Sequence, residues 1–373
     1  MRNYLKSVTA MCLAAGGAHA GALDRTGQSV DVLFEDGRYV EFSFATISPT
    51  LSGTGTTLTP GIGSGDISPA YQQYGAAYKA DINDRLSYAI ILDQPFDASV
   101  DYPTGTGYFA AGSSAEYDSM ALTGLLQYNV GNGASVYGGL RLQSAEANAT
   151  IQFNTPVPAL NLDYAVDASR DYGVGYVFGV AYEKPEIALR VSLTYNSEIS
   201  HANDTFETSV ALGTRSSVTE FETPQSLNLA FQTGIAPNTL LFGGIRWVDW
   251  SDFALTPSLY FQRTGGASLL SYAEDVTTYT LGVGRKLNDT WSVAASLGYE
   301  QTQGNLFTNL GPSDGQRSVG LAAIYTQGKM KITTGIRYVR IGDTTTVAGP
   351  FSPAGTFENN DAVAIGVKIG YTF

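Results

Sequence analysis

Along much of this chain apolar residues take every second position. The clearest case runs from Ala362 to Phe373. Val363, Ile365, Val367, Ile369, Tyr371 and Phe373 fall on one face of an extended strand, and Ala364, Gly366, Lys368, Gly370 and Thr372 on the other. Strand side chains alternate with period two, so one face is greasy and its opposite small or polar. Ile187, Leu189, Val191, Leu193 and Tyr195 alternate in the same way with Ala188, Arg190, Ser192 and Thr194. So do Trp291, Val293, Ala295, Leu297 and Tyr299 with Ser292, Ala294, Ser296, Gly298 and Glu300. Alternation bounded by turn residues predicts fourteen strands, near 38–53, 71–81, 85–98, 115–130, 133–151, 170–184, 186–200, 223–235, 238–251, 273–287, 289–303, 315–327, 329–343 and 360–373.

The connections alternate too. Six are tight: Asn83-Asp84, Gly131-Asn132-Gly133, Lys184-Pro185, Ala236-Pro237-Asn238, Asn288-Asp289 and Gln327-Gly328. These residue types supply the backbone angles of short hairpins. Seven longer segments fall between them, near 54–70, 99–114, 152–169, 201–222, 252–272, 304–314 and 344–359. Strict alternation sends every long loop to one rim. A wall that is apolar outside and polar inside, with short turns at one end, predicts an all-β fold: a transmembrane antiparallel β-barrel of about 14 strands. In lipid the barrel must close, because an open edge leaves backbone groups without partners. Residues 38–373 are therefore read as one barrel.

The N-terminus points to the same compartment. Arg2 and Lys6 form a basic start, Val8 to Ala15 a short apolar core, and Ala18-His19-Ala20 a cleavage site, so 1–20 reads as a signal peptide. The only cysteine, Cys12, lies within it. No stretch of 18 consecutive apolar residues exists, which excludes a transmembrane helix. Net charge is −13, and −15 without Arg2 and Lys6, which argues against nucleic acid as a partner. The expected location is the outer membrane of a Gram-negative cell. Lipid and lipopolysaccharide would surround the barrel, and the barrel assembly machinery would be its partner during biogenesis. A closed barrel is compatible with a monomer. No cofactor or metal is expected. Nor is catalysis, since the chain beyond the signal holds one histidine, His201, with no serine motif beside it.

Several segments carry a family resemblance. Gln94-Pro95-Phe96 looks like the "V-P-F-G" segment of the FadL/TodX family of outer-membrane hydrocarbon transporters, and the run Leu193 to His201 is similar to its "Y-x-S-E-I-x-H" strand end. Arg246-Trp247-Val248-Asp249-Trp250-Ser251-Asp252-Phe253, which follows Thr223-Pro224-Gln225-Ser226, resembles its "V-x-W-x-x-W-S-x-F" stretch. Leu287-Asn288-Asp289-Thr290-Trp291 matches its tight turn before a Trp-led strand. The resemblance implies fourteen strands, an N-terminal hatch in the lumen, and a third strand kinked inward beside a lateral gap through which an apolar ligand leaves. Pro95 gives an independent reason for a kink, because proline lacks the N–H of a ladder position; the alternative is that it merely marks the outer end of the strand. The hatch would be residues 21–37. There Leu33, Phe34, Glu35 and Asp36 stand where the family usually has Asn-Pro-Ala after an apolar run, and the segment is short enough to leave a wetter lumen.

The implied function is passive uptake of long-chain fatty acids or other hydrophobic small molecules; a nonspecific water-filled porin is the alternative. A tail buried at about 0.8 kcal/mol per CH₂ outweighs one polar contact, so apolar external surface is the first place to look for capture. Phe153, Val157, Leu160 and Leu162 make the loop near 152–169 unusually apolar, either as a groove or as packing within the loop. Arg141, Arg190, Arg337 and Lys368 occupy lumen positions, because facing lipid would cost about 2–4 kcal/mol each. They are candidate carboxylate partners, or members of a charge network with residues such as Glu300. Trp247, Trp250, Tyr338 and Tyr371 are expected at the membrane interface or facing lipid.

Overall fold

The computed structural model describes residues 23–373 except 157, 159, 160, 305 and 350. The expected signal peptide, Val157 and Leu160 therefore lie outside the described residues. Fourteen strands form the wall. They are β1 (Tyr39–Thr50), β2 (Tyr71–Asp81), β3 (Leu86–Asp93 and Asp97–Asp101), β4 (Ser114–Gly131), β5 (Ala134–Phe153) and β6 (Leu162–Lys184). Next come β7 (Leu189–Asn196 and Ile199–Ser209), β8 (Gly213–Thr223 and Ser226–Ala236), β9 (Thr239–Val248) and β10 (Val276–Lys286). The last four are β11 (Trp291–Glu300), β12 (Gln316–Gln327), β13 (Met330–Ile341) and β14 (Asp361–Thr372). Each pairs antiparallel with its neighbour. The ladder between β14 and β1, from Tyr39 opposite Thr372 to Thr50 opposite Asp361, closes the cylinder.

The predicted alternation becomes an outside and an inside. Val363, Ile365, Ile369 and Tyr371 of β14 are exposed outward, while Ala362, Ala364, Gly366 and Gly370 are buried. On β6 the outward column is Tyr172, Val174, Tyr176, Phe178, Val180 and Tyr182. Ten steps at about 3.3 Å each, tilted as barrel strands are, give a band of about 25 Å, the height of the hydrocarbon layer. At the end of the chain the wall is packed tightly: a Cβ on Gly370 would lie 1.9 Å from the Tyr39 hydroxyl. At the β4–β5 turn Gly133 has φ +83°, and a Cβ there would lie 2.1 Å from the Glu183 carbonyl oxygen.

Two expected loops are strand. Residues 162–169 extend β6, and 199–209 pair with 213–223 as a hairpin above the wall. Their outward positions include Asp163, Asp167, Ser200, Asp204, Glu220 and Glu222, all exposed, with Phe206 and Val218 as isolated apolar exceptions. With water rather than lipid outside, the apolar column that marks a wall strand is missing, and the sequence reads as loop. A bulge between β5 and β6, where the register shifts between Ala145 and Ala147, changes the phase of β6. Tyr164, Val166 and Ala168 thus line the same interior as Gly173 and Gly175 below. Above the rim, Ser52–Gly55, Gly63–Asp66, Leu306–Thr308, Thr344–Ala348 and Phe351–Phe357 form a five-stranded sheet. Among the described residues one α-helix, α1 (Ser258–Thr264), lies in the loop between β9 and β10.

Candidate functional site: a kinked strand, a lumenal segment and an apolar chamber

Residues 23–37 run inside the barrel. Arg246 on β9 holds their start: its Nε donates to Asp24 Oδ2 (2.6 Å) and its Nη2 to Asp24 Oδ1 (3.1 Å). The same guanidinium donates to Ser226, Asn228 and Gln28. Further on, Asp31–Phe34 form a short 3₁₀ turn whose Leu33 packs among Tyr39, Ala77, Ala89, Leu125 and Tyr137 from the wall. Phe34 meets Tyr137 edge-on at 6.0 Å, and the Arg190 guanidinium lies 4.6 Å over its ring. Arg190 also reaches Asp31 (3.8 Å), and Glu35 reaches Lys331 (3.5 Å). Burying Leu23, Val30, Val32 and Leu33 stabilises this arrangement by about 1.5–3 kcal/mol each. Below Leu33 and Phe34 a polar vestibule of about 1280 Å³ opens between the short turns, among Asn83, Asp84, Asn132 and Gly328. Asp36 is exposed there.

β3 leaves the wall where proline removes its ladder donor. Its first part pairs with β2 only as far as Leu92, opposite Ala76. Its second part, from Asp97, pairs with β4 alone. Gln94, Pro95 and Phe96 between them are all buried. Their backbone groups bond inward: Arg25 N–H donates to the Pro95 carbonyl and Asp97 N–H to the Leu23 carbonyl, each at 2.9 Å. Phe96 N–H donates to Ser119 Oγ, which donates back to the Phe96 carbonyl. On the other side, Tyr71 to Gly75 of β2 pair with β1 but with no strand of β3. The Tyr74 N–H is satisfied instead by the Gln94 side-chain oxygen at 3.0 Å. The wall is therefore interrupted between β2 and the outer half of β3. A cavity of about 80 Å³ lies there, between residues 26–32, the gap, and Lys368.

Phe96 turns into a large apolar cluster above the segment. Trp250 meets it edge-on at 5.5 Å and Phe253 packs on Trp250 at 5.5 Å. Within the cluster an apolar chamber of about 40 Å³ is walled by Ala98, Ala115, Ala147 and Ala168 from four strands. Leu255, Leu269 and Leu270 of the β9–β10 loop and Leu310 roof it. Phe153 and Leu162 pack against this cluster rather than standing free at the surface, with the Phe153 ring 5.5 Å from Phe109. Trp250 was expected at the membrane interface and is instead fully buried inside, because β9 ends at Val248 and the chain folds over the lumen. Trp247, Tyr338 and Tyr371 do face outward.

The four lumen bases point inward and none stands alone. Arg141 is buried and donates to Thr123 (2.9 Å) and Asn196 (3.0 Å). Lys368 meets Glu41 at 3.6 Å and Arg190 meets Asp31. Arg337 is half-buried on the inward face of β13 and is likewise partnered. Glu300 accepts from Thr278 and Gln316 rather than pairing with a base. Sequence reasoning missed Arg246 as a lumen anchor and missed the roof of the chamber. The roof was legible: Phe253, Leu255, Leu259, Leu269 and Leu270 make that loop as apolar as the 152–169 loop. The Asp24–Arg246 pair was not, because its partners lie 222 residues apart.

The closed barrel is a fold shared with solved structures. A FadL homologue from Pseudomonas aeruginosa matches with a TM-score of 0.74 at 15% identity, over 92% of this chain and 92% of that one. The toluene transporter TodX of P. putida matches with a TM-score of 0.65 at 13% identity, over 91% of each chain. The Ralstonia pickettii toluene transporter TbuX does so with 0.63 at 13% identity, over 91% of this chain and 90% of that one. At such identity these likenesses concern the fold alone. No curated protein sequence matches the chain. The family model described as outer membrane protein transport protein (OMPP1/FadL/TodX) matches residues 51–310. With more than half its length matched, and with the barrel that the family's sequence segments foretold, the chain belongs to the OMPP1/FadL/TodX family of outer-membrane transport proteins.

Proposed function

We propose that this protein takes up hydrophobic small molecules, long-chain fatty acids or other apolar compounds, across the outer membrane by passive diffusion. Capture takes place at the apolar cluster on the external side of the barrel, against which Phe153 and Leu162 pack, with Val157 and Leu160 in the same loop of the sequence. Release is lateral, through the gap beside Gln94, Pro95 and Phe96. Residues 21–37 act as the hatch. The observation that carries this reading is the interruption between β2 and β3 with an apolar chamber immediately above it. Family membership supports transport, and the toluene transporters among the structural neighbours support an apolar cargo. The chemistry fits as well: each methylene moved from water into such a chamber contributes about 0.8 kcal/mol, so binding needs no fixed charge.

The porin alternative needs a continuous aqueous bore. Leu23, Val32, Leu33 and Phe34 fill the lumen above the vestibule, which argues against one. Two measurements test the proposal. A deletion strain should take up labelled long-chain apolar compounds more slowly than the parent, and unchanged saturable uptake would remove the proposal. In planar bilayers the purified protein should conduct little; a large steady ohmic conductance would establish the porin instead.

A further inference from the structure

The gap between β2 and β3 has its own chemistry, and that chemistry speaks against a charged cargo. Gln73 on β2 faces the cavity beside the gap and is 5% exposed. Its Nε2 and Oε1 are both buried and make no hydrogen bond among the described residues. A buried amide without partners costs about 1–3 kcal/mol, so it is a site waiting for a donor and an acceptor. Asp93, across the gap on β3, uses Oδ2 to accept from Thr26, whereas its Oδ1 is buried without a bond. The cavity reaches Phe44 and Tyr74, whose rings face lipid. Phe44 pairs with Val367, in the middle of the apolar band of β14. Whatever leaves here passes an amide and a carboxylate oxygen before it meets hydrocarbon.

The cations around this passage are already committed. Lys368, which lines the cavity, meets Glu41 at 3.6 Å, and Glu41 also accepts from the Tyr39 hydroxyl. Arg25 meets Asp97 at 3.7 Å, Arg190 meets Asp31 at 3.8 Å and Arg246 holds Asp24. Arg141 is bonded to Thr123 and Asn196 and lies in the field of Asp93. An ionised carboxylate entering the gap would meet the carboxylates of Asp31 and Glu41 and would have to displace one of them to gain a cation. A neutral molecule has no such competitor, and a hydroxyl can donate to Asp93 Oδ1 while Gln73 donates to it.

We propose that the lateral gap is a polar selectivity site, in which the Gln73 amide and Asp93 carboxylate favour uncharged apolar molecules carrying one hydrogen-bonding group, such as alcohols or phenols, over carboxylates. This rests on the lateral-release reading above. The test is uptake by cells making the full chain, with the deletion strain subtracted, of three probes sharing a twelve-carbon tail: dodecane, 1-dodecanol and dodecanoate, the last ionised at about pH 8. Dodecanol should enter at least about tenfold faster than dodecanoate. Gln73→Leu should slow dodecanol about fivefold more than it slows dodecane, and recovery of heat-modifiable barrel from outer membranes reports that the variant has assembled. Glu41→Gln, which releases Lys368, should raise dodecanoate uptake severalfold. Should Gln73→Leu not assemble, the wild-type ratio and Glu41→Gln decide. Dodecanoate entering as fast as dodecanol in the wild type, or a Gln73→Leu variant that slows dodecane and dodecanol alike, overturns the selectivity site while leaving apolar uptake standing. If no probe exceeds the deletion background, uptake itself fails and the selectivity site falls with it.

Discussion

Replacing Arg246 by methionine would loosen the start of the lumenal segment without breaking the barrel. Arg246 makes two charge-assisted bonds to Asp24 and further bonds to Ser226, Asn228 and Gln28, with side chains of the pair 10% and 6% exposed. Removing one partner of so buried a pair costs about 3–5 kcal/mol, because the remaining carboxylate loses its counter-charge in a place water reaches poorly. At about 1.4 kcal/mol per decade, the population with residues 23–28 lifted from the wall rises by two to more than three orders of magnitude. The apolar anchors at Val32 and Leu33 remain, so the segment detaches at its start only. The rate at which a thiol in the Leu23→Cys variant is labelled measures this, since Leu23 is 2% exposed and Cys12 is the only native cysteine. Labelling should accelerate at least a hundredfold in Arg246→Met, and brief openings should interrupt an otherwise closed bilayer recording. Asp24→Asn with Arg246→Met should return labelling most of the way, because two neutral groups lack the penalty of one stranded charge. Equal labelling in wild type and Arg246→Met would refute the reasoning, and so would a double variant as open as the single one.

Other outcomes follow from the same geometry. Replacing Pro95 with valine restores a ladder N–H, and if pairing with β2 follows, transport should slow while ligand binding at the external cluster stays intact; unaffected transport would count against lateral release. Ala147→Phe places a ring in the apolar chamber and should weaken binding of a labelled apolar ligand by tenfold or more, measured in detergent against an unaltered melting temperature. Leu140→Arg, at an outward position 64% exposed in the middle of the apolar band, should cost about 2–4 kcal/mol and cut the amount of heat-modifiable barrel recovered from outer membranes. Glu207, above the membrane, predicts acid sensitivity. Burial pushes its carboxyl up, but the N–H groups of Leu259 and Tyr260 and the hydroxyls of Tyr164 and Ser258 outweigh burial and hold it below the usual value. A lowered folded pKa contributes stability that is complete above about pH 4.5 and is lost as pH falls through the folded value. Hydrogen exchange in α1 should therefore rise below that pH, and Glu207→Gln should abolish the dependence.

The barrel was readable from the chain because a lipid-facing wall imposes a rule at every second residue. Val363 to Phe373 and Trp291 to Tyr299 could not keep their apolar columns in any setting that wets both faces. Turn chemistry added the count, since Asn, Gly and Pro recur at the short connections of one rim. Where the surroundings change from lipid to water, as along Asp163 to Ser169 and in the 199–223 hairpin, the same backbone carries no such column and its strands were unreadable. Pro95 announced a break in the ladder, because the missing N–H is a property of the residue itself. Which way the chain turned at that break, and that Leu23 and Arg25 would take up the backbone bonds β2 left open, belonged to the tertiary structure. So did the inward position of Trp250, the pairing of Asp24 with Arg246 and the lone amide of Gln73. Each depends on what lies opposite across the lumen, and opposition across a closed cylinder has no local trace in the order of residues.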